Sequence, residues 1–254
     1  LNRPLAVWAG WENINGNYQY DLFYSYYTGS DWSARAPVHS LDPTSDMKPS
    51  LTIDQNNRPW VAWQTRRDIN SNIYVSYYSG TSWQPPQAVN TNPADEVWSK
   101  IIHDNTGRLW VFYNRRLSDK SEIWGSYYDG AQWVESGPIS QNQQSAYNPS
   151  ATVTGTGKIW VTWQSYDNGN GEIHGSYWTG TGWSTPVNIS NNILNDQSPS
   201  MATDANGCVW VVWHTNRDGN WNIYYSTCRD ANWLTPQAVD LNTGIDLNPS
   251  IAPG

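Results

Sequence analysis

PSLTID (Pro49–Asp54), RPWVAWQT (Arg58–Thr65), NIYVSYYSG (Asn72–Gly80) and SWQPPQAV (Ser82–Val89) follow one another along the chain. Each is rich in β-branched and aromatic residues and bounded by Asn, Asp, Gly or Pro, so each reads as a strand; in order they are strands A, B, C and D. The A to B connection, DQNNRP here and DNTGR, GTGK and DANG in later copies, has the chemistry of a tight hairpin turn. No stretch sustains a helical period.

The same unit recurs. A Trp after the C to D turn stands at Trp32, Trp83, Trp133, Trp183 and Trp233, spaced by 51, 50, 50 and 50 residues. Strand B reads LAVW from Leu5, then WVAW from Trp60, WVFY from Trp110, WVTW from Trp160 and WVVW from Trp210. Strand C carries Ser25, Ser76, Ser126, Ser176 and Ser226. A Pro-Ser pair opens strand A at Pro49, Pro149, Pro199 and Pro249, with Ser99-Lys100 in the second copy.

Four strands per repeat of about fifty residues predict an all-β, five-bladed β-propeller with four antiparallel strands per blade. One domain over 1–254 is expected, with blade 1 at about 1–40 plus 248–254, and blades 2 to 5 at about 48–90, 98–140, 148–190 and 198–240. The chain begins in a B strand and ends in an A-type segment, Asn248–Ala252, so ring closure by that last strand beside Leu5–Trp8 is expected; closure removes open sheet edges.

Composition narrows the function. A net charge of −8 gives no positive field for a nucleic-acid backbone or an anionic membrane surface. No apolar run approaches the roughly 20 residues of a membrane span. With 18 Trp and 16 Tyr against 2 Phe, burial falls to amphipathic aromatics, whose N–H and O–H groups need partners. Few Lys and many Asn, Ser, Thr and Gly fit an extracellular or cell-surface protein, and Leu1 begins without a signal-peptide pattern, as in a mature or trimmed chain. No cofactor is expected. His39, His103, His174 and His214 fall at different repeat positions without metal-ligand spacing. Asn188-Ile189-Ser190 is a glycosylation sequon for a eukaryotic secretory host.

The C to D connections SYYTGSDW (from Ser25), SYYSGTSW (Ser76), SYYDGAQW (Ser126) and SYWTGTGW (Ser176) resemble the Asp-box of bacterial-neuraminidase repeats, Ser-x-Asp-x-Gly-x-Thr-Trp, found at the C to D turn of sialidase-like propellers. The Asp position holds Tyr27, Tyr78, Tyr128, Trp178 and Cys228, and the fifth copy, STCRDANW, also lacks the Gly. The resemblance implies the fold; in that family the box is a turn device away from the ligand. Sialidases usually have six blades and an arginine triad with a Tyr/Glu pair and an acid Asp, which have no assigned counterpart here. Five-bladed propellers occur among animal lectins, which share this repeat regularity, and among glycoside hydrolases.

Alternating strand direction puts B to C and D to A loops on one rim, where propeller ligands usually bind. B to C loops supply Arg66, Arg67 and Asp68, then Arg115 and Arg116, Tyr166 and Asp167, and Asn216, Arg217 and Asp218. D to A loops supply Asp46, Glu96, Asp196 and Asp246, with Ala146 the exception. One reading of these charges is inter-loop ion pairs; the other is a polar rim offering bidentate contacts to sugar hydroxyls or a carboxylate. Trp11 and Tyr18, in a first-unit loop four residues longer than the others, and Trp98, Tyr147, Tyr166 and Trp221 break the repeat and suit stacking on a pyranose. Folding the last hairpin about Asp218 sets Cys208 opposite Cys228, so a cross-strand disulfide is expected in an oxidising compartment, free buried thiols being the alternative.

These residues lead to a non-catalytic, lectin-like carbohydrate-binding propeller whose partners are glycans or another extracellular ligand, several weak sites gaining avidity on one ring. The alternatives are a structural or protein-interaction scaffold in an extracellular assembly, and a glycoside hydrolase or sialidase-like enzyme, which needs an asymmetric pair of carboxyl groups that a repeated acidic column does not provide.

Overall fold

The computed structural model describes residues 3–14, 16–67, 69–141, 144–167 and 169–253. Twenty strands and no helix are found among them. The first sheet is β1 (Leu5–Ile14), β2 (Asn17–Tyr26) and β3 (Ala36–Pro37); the second is β4 (Asp46–Ile53), β5 (Pro59–Thr65), β6 (Asn72–Tyr77) and β7 (Gln87–Ala88). The third is β8 (Asp95–His103), β9 (Leu109–Arg116), β10 (Ser121–Tyr128) and β11 (Trp133–Pro138). The fourth is β12 (Ala146–Val153), β13 (Ile159–Asp167), β14 (Asn170–Tyr177) and β15 (Val187–Asn188). The fifth is β16 (Asp196–Thr203), β17 (Val209–Thr215), β18 (Asn222–Arg229), β19 (Asn232–Trp233) and β20 (Gln237–Ala238), the last also paired with β18. The ladders are antiparallel between chain neighbours, as in β4-β5-β6-β7. Two compact units are distinguished: residues 1–103, 107–115 and 126–135 form one, and 104–106, 116–125 and 136–254 the other.

The repeated residues have repeated jobs. Ser25, Ser76, Ser176 and Ser226 each donate Oγ–H to the carbonyl eight residues on, at Ser33, Gln84, Ser184 and Leu234, over 2.6 to 2.8 Å, which pins the turn before strand D. Trp63, Trp163 and Trp213 are fully buried. In the first unit Trp63 packs with Leu22, Val38 and Val61; in the second, Trp213 packs with Ile173, Ile189, Val211 and Tyr224. Burying such rings is worth several kcal/mol each, so these columns carry much of the stability.

Strand A opens with a feature that repeats every fifty residues. Lys48, Trp98, Asn148, Ser198 and Asn248 all have φ between 53 and 56°. The β4, β12 and β16 ladders skip at this point, between Met47 and Ser50, Tyr147 and Ser150, and Gln197 and Ser200, which marks a β-bulge. Non-glycine residues are rarely found there, and a Trp least of all. Neighbouring sheets brace the bulge: Trp98 N–H donates to Gln64 Oε1 at 3.0 Å, and Ser198 N–H to Gln164 Oε1 at 3.4 Å. Ser50 and Ser150 of the Pro-Ser pairs do likewise, Ser50 Oγ accepting from Ile101 N–H and Ser150 Oγ from Met201 N–H, both at 3.1 Å.

Two expectations need correction. Residues 247–253 form no strand and the first sheet has three strands, so the closing strand expected at about 248–252 is not formed. The segment contacts the fifth sheet, Asn248 N–H donating to His214 Nδ1 at 3.2 Å and Ile251 N–H to Ser200 Oγ at 3.3 Å, just as residues 98–101, which open the third sheet, contact the second. The disulfide is absent: both cysteines are free. Cys228 pairs across the ladder with Val209, so Cys208 lies one residue out of register, and a one-residue offset turns a side chain to the other face. Burial pushes the Cys228 thiol up to about 11, which suits an inert thiol. At the C to D turn the capping side-chain oxygens come one residue after the Asp position of the box. Thr28 and Thr179 Oγ1 donate to the Asp31 and Gly182 carbonyls at 2.8 Å, and Asp129 Oδ1 accepts from the Ala131 and Gln132 amides. Tyr27, Tyr78 and Trp178 at the expected position bridge to Trp32, Trp83 and Trp183 instead.

Candidate functional site

The B to C and D to A connections of one repeat are stapled by an amide side chain. Asn70 Nδ2 donates to the Asn92 and Ala94 carbonyls, Asn170 Nδ2 to those of Asn192 and Leu194, and Asn220 Nδ2 to those of Asn242 and Gly244. The two connections therefore share an edge within each repeat, as strand alternation requires.

The acidic column of that edge is buried. Asp46, Glu96 and Asp196 have no exposed surface, while Asp246 is half-buried, binds Asn242 Nδ2 at 2.8 Å and donates its own N–H to the Trp221 carbonyl. Asp46 accepts Trp63 Nε1–H at 2.9 Å, Arg67 Nη2–H at 2.9 Å and His39 Nε2–H at 2.7 Å; Arg67 also pairs with Asp42 at 2.6 Å. Burial pushes the Asp46 carboxyl up, but the hydrogen bond from His39 and the Arg67 charge hold it below its ordinary value. Burial acts downward on His39, and its bonds to Asp46 and the Ser40 carbonyl lift it above the usual imidazole value. Asp196 likewise accepts Trp213 Nε1–H at 2.7 Å and Arg217 Nη2–H at 2.9 Å, yet burial leaves it above the usual carboxylate range. Glu96, paired with Arg115 at 2.6 Å and bonded by Asn90 Nδ2 at 2.8 Å, is also raised by burial, and Arg115 continues to Glu135. Asp46 is thus occupied with Arg67, Glu96 with Arg115 and Asp196 with Arg217.

Arg66 and Arg116 are exposed, and Arg66 Nε–H contacts Ser71 Oγ at 3.3 Å. Asp68 and the Asp167 side chain lie outside the described residues. Trp98 is a half-buried strand residue at its bulge rather than a loop aromatic. Tyr147 and Tyr166, on β12 and β13, meet edge-to-face at 5.8 Å, and Trp221 meets His214 at 5.1 Å.

The most open aromatic group lies on the first hairpin. The extra four residues are strand, not loop: the β1 and β2 ladder runs to Ile14 opposite Asn17. Alternation then sorts the side chains. Glu12 and Ile14 stay half-buried and Gln19 buried on one face, Glu12 pairing with Arg35 at 2.6 Å. Trp11, Asn13, Tyr18 and Tyr20 line the other face and are exposed, Trp11 by 55%, Tyr18 by 63% and Tyr20 by 39%. Trp11 sits directly opposite Tyr20, their rings 4.7 Å apart at 66°, and stacks on Tyr18 at 6.0 Å and 14°. Tyr20 was legible in principle, since cross-strand pairing with Trp11 follows once the turn is placed near Gly16. Three large rings left in water on one β-face form a surface suited to the C–H face of a sugar ring.

No family model matches this chain, and no curated protein matches it. Solved structures do match in fold. The intramolecular trans-sialidase of Ruminococcus gnavus is 12% identical with a TM-score of 0.65, the match covering 93% of this chain and 82% of that one. The α-L-arabinanase of Penicillium chrysogenum is 12% identical at 0.61, covering 82% and 70%. A Hadza microbial sialidase is 13% identical at 0.61, covering 88% of this chain and 53% of that chain. At such identity the likeness shows the fold, a sialidase-like propeller fold, and that alone.

Proposed function

We propose that this chain is a non-catalytic carbohydrate-binding propeller that grips glycans by stacking a sugar ring on Trp11, Tyr18 and Tyr20. The exposure of these three rings together on one hairpin face carries the reading, because folding alone favours burying them. Tyr147 with Tyr166, Trp98, Trp221 and the exposed Arg66 and Arg116 are proposed as further contacts of the same kind. The burial and Arg pairing of Asp46, Glu96 and Asp196 support binding over hydrolysis, since a catalytic carboxyl must reach the glycosidic oxygen. The proposal includes an extracellular or cell-surface setting and avidity from several unequal sites. A glycan array probed with the protein is expected to return ligands whose binding falls about tenfold or more in Trp11→Ala, the loss of about 1.4 kcal/mol or more expected from one stacked ring. Silence across the array defeats the proposal.

A glycoside hydrolase is the second reading, favoured by the enzymes among the fold's neighbours and by the raised Glu96 carboxyl. Release of the aryl group from aryl glycosides, abolished in Glu96→Gln, would establish it.

A further inference from the structure

The A to B turns are organised round one column, Asp54, Asp104, Thr154 and Asp204. In the second sheet Asp54 accepts Trp60 Nε1–H at 3.0 Å and Arg58 Nε–H at 2.8 Å, and the Arg58 guanidinium lies 4.9 Å from the Tyr77 ring centre. In the fifth sheet Asp204 accepts Trp210 Nε1–H at 3.0 Å. The fourth sheet keeps the donors: Trp160 stands in the place of Trp60, and Lys158 in the place of Arg58, its Nζ 4.5 Å from the Tyr177 ring centre. Its carboxylate is gone. Thr154 replaces it, and the Thr154 hydroxyl is engaged with Thr156 Oγ1 at 2.9 Å and the Lys158 amide at 3.0 Å.

Two further departures from the repeat occur beside it. Cys208 stands where other repeats have Arg58, Arg108 or Lys158, which removes a long side chain. The fifth C to D turn has Asp230 and Ala231, both at positive φ, where the other four turns have a glycine, and it brings Arg229 to the same place. Thr154 and the fifth C to D turn border one cavity of about 370 Å³, lined among others by Lys158, Trp160, Cys228, Arg229 and Asp230, and Cys208 stands between Gly207 and Val209 of its wall. Among the described residues Lys158 and Arg229 form no ion pair with a carboxylate; Arg229 contacts the Asn206 carbonyl at 3.5 Å, and its charge helps lower the Asp204 carboxyl. Asp230 is the one acid among the lining residues.

We infer that this cavity is a second ligand site, separate from the Trp11 face, that takes a sugar acid. The ligand's carboxylate replaces the missing side chain of the column, receiving the Lys158 ammonium and the Trp160 indole N–H as Asp54 receives Arg58 and Trp60. Arg229 adds a second cation. The remaining volume, at the lower end of the range for small-ligand pockets, houses one pyranose ring.

The test is a calorimetric titration of D-glucuronate, D-glucose and acetate into the full chain and into Thr154→Asp, Lys158→Ala and Trp11→Ala. Thr154→Asp restores the column's own carboxylate, so it folds with a Tm at or above the parent while occupying the anion position. Glucuronate is expected to saturate one site, with glucose and acetate weaker by about tenfold or more, the usual worth of a charge-assisted hydrogen bond. Thr154→Asp and Lys158→Ala lose that binding by a similar factor, and Trp11→Ala keeps it, which separates this site from the hairpin face. Absence of saturable glucuronate binding, equal binding of glucose or acetate, or unchanged affinity in Thr154→Asp overturns the inference.

Discussion

Asp46 and Asp196 occupy the same repeat position, each buried, each bonded to an indole seventeen residues on and to an arginine twenty-one residues on, yet their carboxyl groups are displaced in opposite directions. The difference lies in one further donor. His39 reaches Asp46, whereas the matching Ser190 turns to Glu172 at 2.6 Å and leaves Asp196 Oδ2 buried without a partner. In low dielectric, one hydrogen bond decides whether desolvation or pairing wins. The comparison teaches that a regular repeat can hold its shape while its electrostatics diverge.

Removing what the two sites share has the largest effect. Trp63→Ala or Trp213→Ala each deletes a fully buried ring and strips an acid of its donor, so chemical denaturation is expected to show a loss of about 3–5 kcal/mol in both. Removing the acid separates the sites. Asp46→Ala strands His39, Arg67 and Trp63, and is expected to cost about 3 kcal/mol, while Asp196→Ala strands fewer donors and costs about 1–2 kcal/mol less. Equal losses would break the comparison.

The pH dependence follows from the signs. Asp46 is lowered, so its contribution is present above the unfolded value of about 3.9 and is lost as pH falls through the folded one. Asp196 is raised, so it works the other way: the stability it gives is full below about 3.9 and is lost as pH rises through its folded value. His39, also raised, stabilises below about 6.5 and ceases to do so as pH rises through its folded value. Stability curves should therefore show Asp46→Asn blunting the acid loss, Asp196→Asn removing the opposite slope, and His39→Ser flattening the region above about pH 6.5 at a cost of about 1 kcal/mol.

The smallest effect applies the same contrast to the Trp column. Trp183 Nε1–H finds Ser136 Oγ at 3.1 Å, but the matching positions for Trp83, Trp133 and Trp233 are Arg35, Pro86 and Pro186, and those three indoles are buried without a partner. Ser136→Ala should leave Trp183 in the same state as the other three and lower stability by about 0.5–1 kcal/mol, read as a lower Tm.

Strand number and order were legible because the Ser and Trp columns have local jobs that most copies fulfil. Ser25, Ser76, Ser176 and Ser226 show this, each hydroxyl meeting the carbonyl eight residues along the chain, while Ser126 meets the Tyr113 hydroxyl instead. The bulge at Lys48, Trp98 and Ser198 was not legible, because none of these residues favours positive φ and its cause lies in the neighbouring sheet. The cysteine register failed by a single residue, which composition cannot fix. For the candidate site, the sequence placed Trp11 and Tyr18 together but read them as loop and passed over Tyr20. It placed Asp46 and Asp196 on a rim, where the fold buries them, because depth along a strand end leaves no periodic mark. The gap at Thr154 is visible in TGTGK, residues 154–158, but its meaning depends on Asp54 being seen to hold Arg58 and Trp60.

The most direct measurement follows the Trp11 indole N–H resonance by NMR as an oligosaccharide selected on a glycan array is added. The account predicts a saturable shift at Trp11 with the buried indoles of Trp63 and Trp213 unmoved, and a matching loss of affinity in Tyr18→Ala and Tyr20→Ala. Full-affinity binding with the Trp11 resonance unchanged would contradict it.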